Sequence, residues 1–189
     1  MAEFIKSALQ EKDWIVDNET EFCFIGRSNV GKSSLINAMA NAKIAISSKT
    51  PGRTRLVNFF RFNSFRLIDL PGYGYANLGK EKKVDLVVLI ENYLIKRVNL
   101  FGVFQIIDAS VLTQDDITMA NFLKSKFVNH FIIINKIDKV SKNVLNNNLN
   151  KISKILNVKK ENIICASSSK NIGIKLIFNK INECLKNSK

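Results

Sequence analysis

With 189 residues and 46% apolar content, the chain has material for one sizeable core, and two domains would each be undersized. No stretch free of Asp, Glu, Lys and Arg exceeds ten residues, as in 98–107, which excludes a membrane-spanning helix of roughly 20 residues and argues against stable membrane insertion. The net charge of +13 is lopsided, since residues 1–116 hold 15 Lys/Arg against 13 Asp/Glu (+2) and residues 117–189 hold 14 against 3 (+11). Such a basic half suits RNA, DNA or an anionic membrane as partner. The 23 lysines and 23 asparagines also fit biased codon usage.

The amino terminus, Met1-Ala2-Glu3-Phe4-Ile5-Lys6, lacks the cationic start and apolar stretch of a secretory signal, so a cytoplasmic protein is expected. Residues 1–21 read as an extension packing on one domain that spans 1–189. Phe22-Cys23-Phe24-Ile25-Gly26 reads as a buried strand, and Leu35, Ile36 and Met39 recur at helical spacing after Gly31-Lys32. Residues 42–55 are a polar loop broken by Pro51-Gly52. Strands over 56–62 and 65–70, separated by Asn63-Ser64, form an antiparallel hairpin. A loop around Pro71-Gly72-Tyr73-Gly74 leads to a helix marked by Val84, Val87, Val88, Leu94 and Ile95.

From Phe101 onward strands and helices alternate. Strands fall at 101–108, 131–135 and 162–166, and helices at 113–127, 142–157 and 172–186, the last with Ile174, Ile177, Phe178, Ile181 and Leu185 on one stripe. This alternation predicts a three-layer α/β domain of about six strands, mostly parallel with one antiparallel pair, and helices on both faces. Cys23, Cys165 and Cys184 are too few and too scattered for a disulfide framework or zinc site and read as small apolar residues. His130 reads as a strand-end residue.

Four short motifs punctuate this pattern. Gly26-Arg27-Ser28-Asn29-Val30-Gly31-Lys32-Ser33 is a phosphate-binding loop between strand and helix. Its N–H groups and the helix start cradle phosphate, Lys32 bridges the β- and γ-phosphates, and Ser33 ligates Mg²⁺. Asp69-Leu70-Pro71-Gly72 follows a strand, where the carboxylate can reach the metal and the Gly72 N–H the γ-phosphate. Asn135-Lys136-Ile137-Asp138 selects the base, because a carboxylate accepts from both the ring N–H and the amino group of guanine, a donor pair that adenine lacks on that edge. Ala166-Ser167-Ser168 can offer backbone N–H groups to the guanine oxygen. GTP and GDP are the expected ligands.

This order of motifs closely resembles the EngB family of bacterial ribosome-biogenesis GTPases, within the TrmE-Era-EngA-EngB-Septin-like group of P-loop G domains. The resemblance runs from Phe4 and Ser7-Ala8 through Gly26–Asn37, Thr50-Pro51-Gly52-Arg53-Thr54, Asn58-Phe59-Phe60 and Asp69-Leu70-Pro71-Gly72-Tyr73-Gly74-Tyr75-Ala76 to Ser167-Ser168 and Gly173. It implies that Ser34 and the segment Gly52-Arg53-Thr54-Arg55-Leu56 also contact nucleotide, and that Thr54, or else Thr50, completes the Mg²⁺ site when the loop closes. It further implies a monomeric switch acting on the large ribosomal subunit precursor, its rRNA and proteins, with a role in growth and division.

Two departures from the family stand out: Asn135-Lys136-Ile137-Asp138 where Thr-Lys-Ala-Asp is usual, and Asp108-Ala109-Ser110 without the customary Arg-His. Tyr73 stands where many GTPases carry the glutamine that orients water. Related GTPases with asparagine at the place of Asn29 use it to hold K⁺; a plain turn residue is the other reading. Lys32, Thr54, Gly72 and Asn29 are therefore the expected catalytic set. Rival functions are the G domain of a tRNA-modifying enzyme, for which the chain is too short, and a guanine-nucleotide sensor at an anionic membrane or division complex.

Overall fold

Strands made of consecutive apolar residues must be covered on both faces, and a parallel sheet between two helical layers covers them. The structure, a computed structural model, describes residues 2–46, 56–74, 80–127 and 129–187, with side chains from residue 84 onward in the helix that begins at Lys80. Among the described residues one sheet contains β1 (Glu3–Ala8), β2 (Glu21–Gly26), β3 (Val57–Arg61), β4 (Arg66–Asp69), β5 (Leu100–Asp108), β6 (His130–Asn135) and β7 (Ile163–Cys165), in spatial order β1-β3-β4-β2-β5-β6-β7. β4, β2, β5, β6 and β7 are parallel neighbours, and β3 runs antiparallel to both β4 and β1. The helices are α1 (Lys32–Ala40), α2 (Lys80–Lys96), α3 (Gln114–Lys126), α4 (Lys142–Ile155) and α5 (Ile174–Asn187).

Among the described residues the sheet thus has seven strands where about six were expected, and β3, its antiparallel strand, makes two antiparallel pairings where one was expected. The addition is β1, which pairs with β3 at the sheet edge, so residues 3–8 of the expected extension belong to the sheet itself. Only Ala8 of β1 is fully buried, so no apolar alternation announces the strand. Ser7 Oγ donates to Asn58 Oδ1 at 2.6 Å and Phe4 meets Phe60 edge-on at 5.6 Å.

Alternate residues of β2 serve different layers. Phe22 and Phe24 pack with Leu35, Ile36, Ile177 and Ile181 under α1 and α5, whereas Cys23 and Ile25 pack with Leu86, Ile90, Tyr93 and Leu123 under α2 and α3. β6 divides likewise, Phe131 and Ile133 joining the first layer and Ile132 and Ile134 a cluster with Ile152 and Leu156 near α4. Cys23 and Cys184 are buried, Cys165 is half-buried, and none of the three forms a disulfide. No helix among the described residues is long and apolar enough to cross a membrane.

At the amino end of β4 the Arg66 guanidinium is wholly buried. It donates to Asp17, Glu19 and Glu21, while Glu21 also accepts from Arg97 and Tyr93 Oη. Trp14 packs edge-on against Tyr93 at 4.8 Å. This network ties the segment before β2 to the sheet and leaves the opposite, carboxyl ends of the strands open. Ligands of such sheets bind at those ends, where the chain leaves central β2 toward both sides.

Candidate nucleotide-binding site

β2 ends at Gly26, and the chain turns through 27–31 into α1. Asn29 (φ 64°) and Gly31 (φ 102°) adopt left-handed backbone, a conformation asparagine tolerates and glycine takes freely. Asparagine at position 29 is thus compatible with the turn itself. A Cβ on Gly31 would lie 2.4 Å from Asn135 Nδ2, and one on Gly26 would lie 2.6 Å from the Ile106 carbonyl oxygen. No side chain among the described residues caps α1, and such uncapped N–H groups suit an anion.

Lys32 Nζ donates to the Gly26 carbonyl at 3.4 Å, and Ser33 Oγ donates to Asp69 Oδ2 at 3.4 Å. Asp69, the last residue of β4, is buried, and its Oδ1 has no hydrogen-bond partner among the described residues. Burial pushes its carboxyl up to about 6, against the opposing pull of Lys32 and Ser33. Burial likewise lowers the Lys32 ammonium, which Asp69 partly restores. An acid and a base short of compensating partners suit a cation and phosphate oxygens respectively.

The turn after Asp69 lies directly on the phosphate loop. Tyr73 N donates to the Gly26 carbonyl at 3.2 Å and Ser28 N to the Tyr73 carbonyl at 3.1 Å, and a Cβ on Gly72 would come within 2.9 Å of Ser28 N. The Tyr73 ring is buried. Its hydroxyl donates to Asp116 Oδ1 at 2.9 Å and accepts from Gln105 Nε2 at 3.0 Å. Burial, reinforced by the Asp116 charge, raises the phenol well above its ordinary value. The Tyr73 phenol is thus protonated and anchored at both its hydroxyl contacts.

From β6, Asn135 Nδ2 donates to the Val30 carbonyl at 2.9 Å, and Lys136 Nζ donates to the Asn29 carbonyl at 2.7 Å and Asp108 Oδ2 at 2.8 Å. Lys136 is itself left-handed (φ 65°), which swings the following turn outward. There Asp138 accepts from Ser167 Oγ and, at 3.0 Å, from Ser169 Oγ. These bonds, Ser167's foremost, hold its carboxyl below the usual range. Ala166 is locked between the two loops, its N–H on Ile134 and its carbonyl on Ile137 N. Ser34 and Ser168 line an open cavity of about 560 Å³ together with Asn37, Asn41, Lys43 and Ser169.

The phosphate loop, Asp69–Gly72, Asn135–Asp138 and Ala166–Ser168 are therefore gathered at one end of the sheet. Leu56 lies partly exposed just before β3. Thr50, Gly52, Arg53, Thr54, Arg55, Tyr75 and Ala76 lie outside the described residues. Sequence reasoning missed Ser169, Gln105 and Asp116, and saw Asp108 only as a departure from the family. Of these, Asp116 was signalled by the Thr113-x-x-Asp116 spacing of a capping box, which the structure contains.

Fold and site together define a P-loop GTPase G domain. Residues 21–136 match the family model described as 50S ribosome-binding GTPase. The chain is 54% identical over 174 residues to the probable GTP-binding protein EngB of Malacoplasma penetrans, spanning 92% of this chain and 94% of that protein. To the Mycoplasma genitalium counterpart it is 41% identical over 182 residues, 96% and 95% of the two chains. A crystal structure of a probable GTP-binding protein EngB superposes with a TM-score of 0.75 at 20% identity, over 89% of this chain and 99% of that one. Aquifex aeolicus Era bound to GDP and aluminium fluoride gives 0.70 at 24% identity over 85% and 55%. The chain belongs to the EngB family of GTP-binding proteins.

Proposed function

We propose that this GTPase binds GTP and GDP at the carboxyl ends of β2, β4, β6 and β7, hydrolyses GTP to GDP and phosphate, and acts as a switch in assembly of the large ribosomal subunit. The observation that carries the nucleotide reading is Asp138, an ionised carboxylate steadied by Ser167 and Ser169 on a turn tied to the phosphate loop through Asn135 and Lys136. A base held by Asp138 would share one rigid frame with phosphates held by residues 26–34.

In this reading the N–H groups of the loop and α1 hold the phosphates, Lys32 reaches the β- and γ-phosphates, and Gly72 N–H meets the γ-phosphate. Ser33 and Asp69 suit Mg²⁺, since Asp69 Oδ1 is buried without a partner among the described residues, beside the Ser33 hydroxyl; Thr54 is the third ligand proposed. Bound Mg²⁺ supplies positive charge against the charge spread over the transferring phosphoryl group. With Tyr73 anchored, water must be oriented from elsewhere, and turnover of the isolated protein should be slow, on the order of 10⁻⁴ to 10⁻² s⁻¹. Asn29 is proposed to recruit K⁺. Faster turnover in K⁺ than in Na⁺, lost in Asn29→Ala, supports that role, and equal rates oppose it.

The ribosomal part rests on the description of the matching family and on the basic carboxyl-terminal half, where Lys142, Lys151, Lys154, Lys159, Lys160, Lys170 and Lys175 are exposed. A cytoplasmic monomer with a role in growth and division is proposed with it. Sedimentation with purified large-subunit particles tests this. Pelleting should be stronger with a non-hydrolysable GTP analogue than with GDP, should weaken steeply with salt, and should fall in Lys159→Glu/Lys160→Glu. Pelleting with anionic liposomes but not with particles would contradict it.

A further inference from the structure

A buried carboxylate must be paired, and what Asp116 is paired with reaches beyond its own helix. Its Oδ2 accepts from Thr113 N and Oγ1, closing the cap of α3, and lies 3.4 Å from Arg27 Nε. Its Oδ1 accepts from Tyr73 Oη. Gln105 Nε2, from β5, donates to both Tyr73 Oη and the Asp116 carbonyl. Tyr73 is thereby held at its hydroxyl by α3 and β5, and at its backbone by Gly26 and Ser28 of the phosphate loop. Arg27, itself in that loop, is drawn to the same carboxylate. Gly72, one residue before Tyr73, lies close against the same loop, where a Cβ would meet Ser28 N at 2.9 Å.

We propose that Asp116 is a positioning residue for triphosphate recognition: through Tyr73 and Arg27 its carboxylate fixes the Gly72 turn on the phosphate loop. The inference rests on the reading that Gly72 N–H meets the γ-phosphate, and it assigns to position 73 an anchoring role in place of water orientation. GDP lacks the γ-phosphate, so the clamp bears on GTP and leaves GDP affinity alone.

The test is titration of GDP and of a non-hydrolysable GTP analogue against the full chain, wild type and the variants Tyr73→Phe, Asp116→Asn and their double. Each single variant should weaken the GTP analogue about fivefold to tenfold while GDP affinity stays within about twofold. The double variant should lose less than the sum of the two single losses, because both changes touch the shared Tyr73–Asp116 contact. Tyr73→Phe leaves the cap of α3 intact and decides the matter should Asp116→Asn fail to fold. An unchanged ratio of the two affinities, with only a lowered unfolding temperature, would overturn the proposal and leave Asp116 a helix cap. Absence of nucleotide binding by the wild type would overturn the nucleotide-site reading itself and this proposal with it.

Discussion

Asn135 Nδ2 donates to the Val30 carbonyl at 2.9 Å, joining the end of β6 to the phosphate loop across 105 positions of sequence. Gly31 packs on the same amide, which has no room for a Cβ. Asn135 therefore shapes the phosphate loop from behind and also begins the turn that carries Asp138. Asn135→Ala should cost about 1–3 kcal/mol of stability by leaving the Val30 carbonyl without its donor. Asn135→Asp, which sets an acceptor against an acceptor, should cost more. Urea unfolding of the three proteins checks the order, and equal stability of Asp and Ala variants would contradict it.

Arg66 answers for the opposite end of the sheet. With three carboxylates around one buried guanidinium, Arg66→Met should destabilise by about 3–5 kcal/mol, since Glu21 would keep only Arg97 and Tyr93. The folded fraction should bind GDP normally, because the network sits at the amino ends of β2 and β4. A loss below about 1 kcal/mol in denaturant titration would refute the assignment.

His130 makes stability depend on acidity. Gln105 Oε1 can only accept, so His130 Nε2 carries the hydrogen of their 3.2 Å contact, and Nδ1 is buried with no partner among the described residues. Burial, with a smaller contribution from Lys124, lowers the imidazole to about 4. The unfolded chain takes up its proton near 6.5 and the folded one only near 4. Stability from this group is thus complete above about pH 6.5 and declines between 6.5 and 4, by up to about 3 kcal/mol. In His130→Gln that part of the slope should vanish. An unaltered pH profile would mean that the loss comes from other groups.

Gly72 leaves no space for a methyl group, because the atoms it would meet are Ser28 N at 2.9 Å and Ser28 Cα at 3.1 Å, both backbone. Gly72→Ala should lift the turn from the phosphate loop. GTP hydrolysis in single turnover should fall at least tenfold while GDP still binds, and hydrolysis at the normal rate would exclude the contact.

The phosphate loop was legible in sequence because each of its residues answers a local demand: glycine for close approach at 26, left-handed backbone at 31, and an amine and a hydroxyl on the first turn of α1. The helices were legible for a related reason. Ile174, Ile177 and Ile181 of α5 are buried, and Phe178 and Leu185 lie partly so, as their spacing foretells. β1 escaped because an edge strand with mostly half-exposed positions carries no period. The bonds among Tyr73, Gln105 and Asp116 escaped because they join residues 32 and 43 apart, a proximity that only the parallel sheet creates. Likewise the pairing of Lys136 with Asp108 depends on β5 and β6 ending side by side.

Asp138 is proposed to read guanine, and calorimetric titration of wild type and Asp138→Asn with GDP, ADP and XDP puts that role to the test. Two hydrogen bonds to a charged acceptor at about 1.5–3 kcal/mol each make selectivity large. Wild type should bind GDP and ignore ADP, while Asp138→Asn should lose GDP affinity at least a hundredfold and gain XDP, whose carbonyl complements the new amide. Unchanged GDP affinity in Asp138→Asn, or comparable binding of ADP by the wild type, would rule out Asp138 as the residue that selects guanine.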